Sequence, residues 1–239
     1  MSTAAKFTTN YDTEFIRLKE KWEDIVSKVT SQTPMESFNI MNNGWLVYQT
    51  IASRIYARTG FYQSSGGYGF RDQLQDCIGM KFVDPQFLKY QILLCASKQF
   101  EQGDVLHWWH EDSKLGIRTR FSDDMLWLVY AVLEYVQYTG DLTILSEKVG
   151  FLNYPPLKEN EVDRVSYYNE YGADGTILEH CIKAISYAMN LGTHNLPLMK
   201  SGDWNGGMNL IGYRGKGESV WLGFFLYHIL DRMIVMLKK

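Results

Sequence analysis

From Met125 to Tyr138 the chain runs Met-Leu-Trp-Leu-Val-Tyr-Ala-Val-Leu-Glu-Tyr-Val-Gln-Tyr, apolar on nearly every face of a helix. A helix of that kind has to be covered on all sides. Any fold for this chain therefore sets other elements around one buried rod. Ser122 stands at its expected N-cap, and Asp123 and Asp124 fall in the first turn, where the helix dipole favours acids.

The neighbouring segments read as the cover. Phe15, Leu18, Trp22, Ile25 and Val29 recur at three and four, which predicts a surface or linker helix over Thr13–Thr30. Further helices are predicted over Trp45–Arg58, over Phe70–Phe82, and from Pro85 to Gln99 with proline in the first turn. Thr176 and Glu179 form a capping box for a helix to Leu191, and a last helix starts at Gly217. Residues 141–171 read as irregular, and no run alternates with period two. The expectation is an all-α fold with an inner and an outer layer. Three long loops, at residues 60–69, 103–121 and 193–216, separate the helices, and in such a layered fold they gather at one end.

Composition narrows the function. A net charge of −3 with no basic face argues against nucleic acid. Aromatic residues make up 15%, more than a core alone takes, which favours interfaces and carbohydrate platforms. Cys77, Cys95 and Cys181 show neither metal nor disulfide spacing, so reduced thiols and a cytoplasmic location are expected. No signal sequence and no membrane segment are expected either.

The chemistry concentrates in the loops. Lys200-Ser201-Gly202-Asp203-Trp204-Asn205-Gly206-Gly207-Met208-Asn209 mixes glycines, a flat apolar face and fixed polar groups, a combination that suits a sugar ring. A helix–helix turn with a core tryptophan is the plain alternative. Arg71, Asp72, Gln75 and Asp76 start a helix and read either as dipole compensation or as a clamp on sugar hydroxyls. The second loop holds His107, Trp108, Trp109 and His110, then Arg118, Arg120, Asp123 and Asp124. The two histidines lack a third ligand at zinc spacing, so no metal is expected. The two arginines suggest an anion such as phosphate, and the tryptophans a stacked sugar. Walker, Rossmann and Gly-x-Ser-x-Gly patterns are absent.

Taken in order, several runs resemble glycoside hydrolase family 94, formerly glycosyltransferase family 36, across residues 43–226, and most nearly its β-1,2-glucan branch. They are Phe61-Tyr62-Gln63 through Gly69-Phe70-Arg71-Asp72-Gln73-Leu74-Gln75-Asp76, His107-Trp108-Trp109-His110, Arg118-Thr119-Arg120-Phe121-Ser122-Asp123-Asp124, Ser201-Gly202-Asp203-Trp204-Asn205 and Gly215-Lys216-Gly217-Glu218-Ser219-Val220-Trp221. The resemblance implies an (α/α)6 barrel, here partial: residues 1–40 as linker helix and lead-in, then an incomplete catalytic barrel over 41–239. It implies inverting phosphorolysis of β-linked gluco-oligosaccharides. An acid protonates the leaving oxygen while inorganic phosphate, a co-substrate rather than a cofactor, attacks the anomeric carbon. It implies that Arg71 and Asp72 meet the sugar with Trp204 packed beside it, while Asp76, Asn205, Asp123, Asp124, His107 and Trp109 are read from the loops as further substrate-binding candidates; a homodimer is also admitted. Where the family's loop reads Trp-Asn-Asp, with that aspartate as general acid, this chain has Gly206. General acid catalysis is worth about 10²–10⁴-fold, so impaired chemistry is expected. Asp203 is expected to fix the turn rather than replace the acid. Family enzymes are also longer, with a β-sandwich and further barrel helices, and an open barrel would expose an apolar seam. The alternative is a non-catalytic carbohydrate-binding or scaffold remnant. A hydrolase would need a second carboxylate, for which Glu218 is the candidate.

Overall fold

The computed structural model describes residues 10–56, 66–212 and 214–238. The Phe61-Tyr62-Gln63 run falls outside the described residues.

The buried rod is helix Asp124–Thr139, with ten of its residues buried from Asp124 to Tyr135. It ends on Gly140 in the left-handed region (φ 73°), the usual C-terminal stop. Four helices pack on it: Phe70–Gly79, Pro85–Ala96, Ile177–Ala188 and Val220–Leu237. Tyr11–Ser27, Glu36–Ile40 and Leu46–Gln49 precede them, the last two linked by a π-helical turn, and Asn209–Gly212 is a single turn. In chain order these are α1 (Tyr11–Ser27), α2 (Glu36–Ile40), α3 (Leu46–Gln49), α4 (Phe70–Gly79), α5 (Pro85–Ala96), α6 (Asp124–Thr139), α7 (Ile177–Ala188), α8 (Asn209–Gly212) and α9 (Val220–Leu237).

Local side-chain chemistry marks the starts of α5, α7 and α9. Asp84 accepts from the Phe87 N–H ahead of Pro85 at α5. Thr176 and Glu179 make the reciprocal capping box of α7. The start of α6 departs from expectation. Ser122 does not cap it; its hydroxyl donates to the Gly202 carbonyl (3.0 Å), and the cap residue is Asp123, whose side chain makes no capping bond. Both side chains are drawn away by partners distant in sequence.

The all-α, partial (α/α)6-barrel expectation is overturned. The protein is mixed α/β, with eight short strands among the described residues in three antiparallel sheets. β1 (Tyr68–Gly69), β2 (Leu106–Trp109), β3 (Leu115–Thr119) and β5 (Asp163–Tyr167) form one sheet in the order β1-β2-β3-β5. β4 (Lys148–Leu152) pairs with β6 (Tyr171–Thr176), and β7 (Gly202–Asp203) with β8 (Gly206–Gly207). The second long loop and the irregular stretch thus contain most of the strands. Two features hide them in the sequence. They are only two to six residues long, and charged groups stand on their buried faces. Arg118 of β3 is 1% exposed because Asp104 takes it bidentately at 2.7 Å for both bonds. A polar residue facing inward cancels the alternation that marks a half-buried strand.

Helix α9 is long and apolar enough to cross a membrane by length and composition, with mean hydropathy 1.6. Its inner face, Leu222, Leu226, Ile229, Met233 and Met236, is buried in the core. Phe224 and Tyr227 on its outer face are 73% and 72% exposed, so an apolar face does remain uncovered.

Leu128 is fully buried at the centre of α6. Leu128→Ala is expected to lower unfolding free energy by about 2–5 kcal/mol, as cavity-forming core truncations do. Urea denaturation followed by tryptophan fluorescence measures it.

Candidate functional site

Three segments far apart in sequence meet at the amino end of α6. The first is the start of α4. Asp72 folds back over Gly69, so that a Cβ there would lie 2.2 Å from Asp72 Oδ2 and would make that exposed carboxylate swing away. Arg71, one residue into the helix, points inward and is 15% exposed at its side chain. Its Nη1 donates to Asp123 Oδ1 (3.0 Å), Asp123 Oδ2 (3.2 Å) and the Asp203 carbonyl (2.9 Å). Asp72 lies outward, 53% exposed, with Arg54 at 3.9 Å, and Asp76 accepts from Arg54 Nε at 2.9 Å.

The second segment is β2 with the start of α6. Asp123 and Asp124 are both buried. Trp127 Nε1 also donates to Asp123 (3.0 Å). Asp124 Oδ2 is bonded to His107 Nδ1 (2.7 Å), whereas its Oδ1 has no hydrogen-bond partner and faces Arg71 Nε at 4.0 Å. The His107 ring stacks on Phe121 at 4.3 Å between centroids, and the Arg71 guanidinium lies 5.2 Å from that ring.

The third segment is the β7–β8 hairpin, with Trp204 and Asn205 as its two-residue turn. Asp203 is buried and holds the turn. Its Oδ1 accepts from the Asn205 backbone N–H (2.8 Å) and side-chain amide (3.0 Å). Its Oδ2 accepts from the Ser219 hydroxyl (2.6 Å), and that same hydroxyl caps α9 by accepting from Leu222 N–H (3.0 Å). Trp204, 47% exposed, donates to Gln75 Oε1 (3.2 Å) and stacks on Trp221 (6.1 Å). Gly206 faces Asp203 across the hairpin at φ 106°, with nothing within 4 Å of where a Cβ would be. The hairpin is stitched to α6 by Ser122 N–H donating to the Gly202 carbonyl (2.9 Å).

Arg71, Asp123, Asp124, His107, Trp204, Asn205 and Gly206 therefore share one neighbourhood, with Asp72 and Asp76 on its α4 rim. Trp109 does not join them as a stacking surface. It is 1% exposed, packed on Tyr68 and Phe70, with its Nε1 donating to Glu111 (2.8 Å). Arg118 and Arg120 are not open to an anion. Arg118 is spent on Asp104, and Arg120 donates to the Glu161 and Lys158 carbonyls (2.8 and 2.7 Å). Glu218 is bonded to His194 (3.1 Å at Nδ1) and bears on Gly192, in the loop ahead of the hairpin. Sequence reasoning placed Gln75 with the α4 clamp but not against Trp204, and it missed Ser219. Ser219 did carry a signal, a serine directly ahead of an apolar run. Two cavities, of about 620 and 570 Å3, flank α9 away from this cluster. The first contains Glu134, which is tied to Lys81 and Arg232.

Electrostatics set the cluster apart. Burial and the neighbouring Asp124 push the Asp123 carboxyl up to about 7, against the pull of Arg71. Burial pushes His107 down, but the Asp124 carboxylate outweighs it and leaves His107 raised.

An exposed tryptophan on a tight polar turn, beside an arginine and clustered carboxylates, is the build of a carbohydrate-active domain. Residues 21–239 match the glycosyl hydrolase 94 superfamily, catalytic domain, and the chain belongs to that family. It is 46% identical over 211 residues to the cyclic beta-(1,2)-glucan synthase NdvB of Rhizobium meliloti (strain 1021), covering 87% of this chain and 7% of the synthase. It is 32% identical over 220 residues to solabiose phosphorylase of Paenibacillus borealis, covering 91% and 25%. With N,N'-diacetylchitobiose phosphorylase of Vibrio furnissii it shares 24% identity over 252 residues, covering 93% and 29%. The chain thus spans less than a third of the length of each of these relatives.

Two outcomes are expected. Asp123 binds its proton more tightly folded than unfolded, so its contribution to stability is complete below about pH 4 and is lost as pH rises toward 7. Raised His107 acts in the same direction above its ordinary value of 6.5. Thermal unfolding should show stability falling between about pH 4 and 7, and Asp123→Asn should flatten that slope. Ser219→Ala removes a helix cap and strands the buried Asp203 carboxylate, and should cost about 1–3 kcal/mol in chemical denaturation.

Proposed function

We propose that this chain is the sugar-binding part of an inverting phosphorylase-type domain for β-linked gluco-oligosaccharides of the β-1,2 kind, impaired in bond cleavage. Trp204 supplies the apolar platform for a sugar ring. Arg71 and Asp72 supply hydrogen bonds to its hydroxyls, and Asn205 holds the turn between them. Inorganic phosphate is the co-substrate of the intact reaction, attacking the anomeric carbon as an acid protonates the leaving oxygen. No residue of the hairpin is placed to give that proton. Asp203 is the nearest carboxylate, and both its oxygens are occupied by Asn205 and Ser219.

The single observation that carries the reading is Gly206: a position beside the Arg71 and Trp204 cluster, open to solvent space, with a backbone suited to glycine and no side chain to donate a proton. This favours binding without turnover. The β-1,2 preference is supported by the identity to the glucan synthase.

Calorimetry with β-1,2-linked glucose oligomers should show binding, and no sugar 1-phosphate should appear when phosphate is added. Gly206→Asp has room for its side chain but places a non-glycine residue at positive φ, so it should cost about 1–2 kcal/mol of stability. In the same assay it should yield detectable sugar 1-phosphate. Absence of binding to any β-linked gluco-oligosaccharide would sink the proposal.

A further inference from the structure

The unpartnered oxygen of Asp124 has a consequence for Arg71. We infer that His107 and Asp124 are positioning residues: together they set the direction of the Arg71 guanidinium and, through the Asp203 carbonyl, the seat of the Trp204 hairpin.

The geometry is specific. Arg71 has two carboxylates within reach, on consecutive residues of α6. It is hydrogen-bonded to Asp123 and stands off Asp124 Oδ1 at 4.0 Å, although that oxygen is buried and has no other partner. Something must offset the attraction, and the group on the far side of Asp124 is His107, bonded at 2.7 Å to the other carboxylate oxygen. The groups around the pair are few. Asp123 and Asp124 come from α6, Arg71 from α4, and His107 from β2. The Asp203 carboxylate of the hairpin is turned the other way, toward Ser219 and Asn205. One proton, on His107 or on Asp123, brings Arg71 and the two aspartates to neutrality. Without it the cluster carries a buried charge of −1, which a low-dielectric interior penalises.

Nδ1 of His107 donates to Asp124 whether the ring is neutral or charged, so losing the proton keeps the bond and removes only the positive charge. Asp124 Oδ1 then draws Arg71 Nε into hydrogen-bond range. Turning the guanidinium that way weakens its bond to the Asp203 carbonyl (2.9 Å), which with the Trp204 indole bond to Gln75 (3.2 Å) ties α4 to the sugar-binding turn. In the protonated cluster Arg71 stays on Asp123 and Asp203, and the turn is held against α4.

Two variants hold the ends of this range. His107→Gln still donates to Asp124 but is never charged. Asp124→Asn removes the pull on Nε at every pH. On the full chain, NMR signals of Arg71 Nε–H and the Trp204 indole N–H should move as His107 loses its proton above the ordinary histidine value of 6.5. In Asp124→Asn both should stay at their low-pH positions, and in His107→Gln at their high-pH positions. An Arg71 signal that ignores the His107 titration in the unmodified chain overturns the inference, and that measurement decides even if a variant does not fold. A second arm rests on the sugar-binding reading: the affinity for a β-1,2-linked glucose trimer should fall about fivefold over the same range, and stay flat in Asp124→Asn. Complete absence of trimer binding counts against the functional reading alone, since the NMR arm needs no sugar. Binding that is pH-independent in the unmodified chain counts against the inference.

Discussion

The bond of Arg71 to Asp123 and to the Asp203 carbonyl holds the site together. A single guanidinium joins the first turn of α4, the first turn of the central helix and the hairpin that carries Trp204. Its partners are 52 and 132 residues away along the chain. Removing one member of a buried ion pair leaves the other charge uncompensated, which costs more than the pair itself contributes. That asymmetry makes Arg71 a point of specification. Alternative packings of the hairpin against α4 would strand Asp123 in the core.

The same logic runs through the second support of the hairpin. Asp203 has both carboxylate oxygens engaged, one closing the turn and one on Ser219. Ser219 is simultaneously the cap of α9. The start of the last helix and the shape of the Trp204 turn are therefore one hydrogen-bonded unit. Gly206 completes it, since the return strand starts at a positive φ that few other residues adopt without strain. The glycine at position 206 is thus well matched to the local backbone.

How much of this was legible depended on the range of the interaction. Helix burial and caps are local, and Thr176 with Glu179 or Asp84 with Pro85 could be read directly. The strands could not, because β3 turns Gly116 and Arg118 inward. Trp109 was read as a sugar platform beside His107 and turned out to be core. Neighbours on a strand point to opposite faces, but residues two apart share one, and the bulge between Leu106 and Trp108 breaks that count within β2. Arg118 and Arg120 looked available for an anion because their carbonyl and carboxylate partners come from turns that no periodicity announces.

The amino-acid sequence by itself determined that one helix would be buried on all sides, where the capped helices α5 and α7 begin, and that position 206 is a glycine with no side-chain proton. Those are matters of composition and of spacing within a helical turn. Only the tertiary structure decided that Arg71 chooses Asp123 over Asp124, that His107 stands behind Asp124, and that Trp204 is presented while Trp109 is sealed. Each of those is a competition among groups distant in sequence for the same desolvated space, and burial and charge settle it only once the segments are packed together.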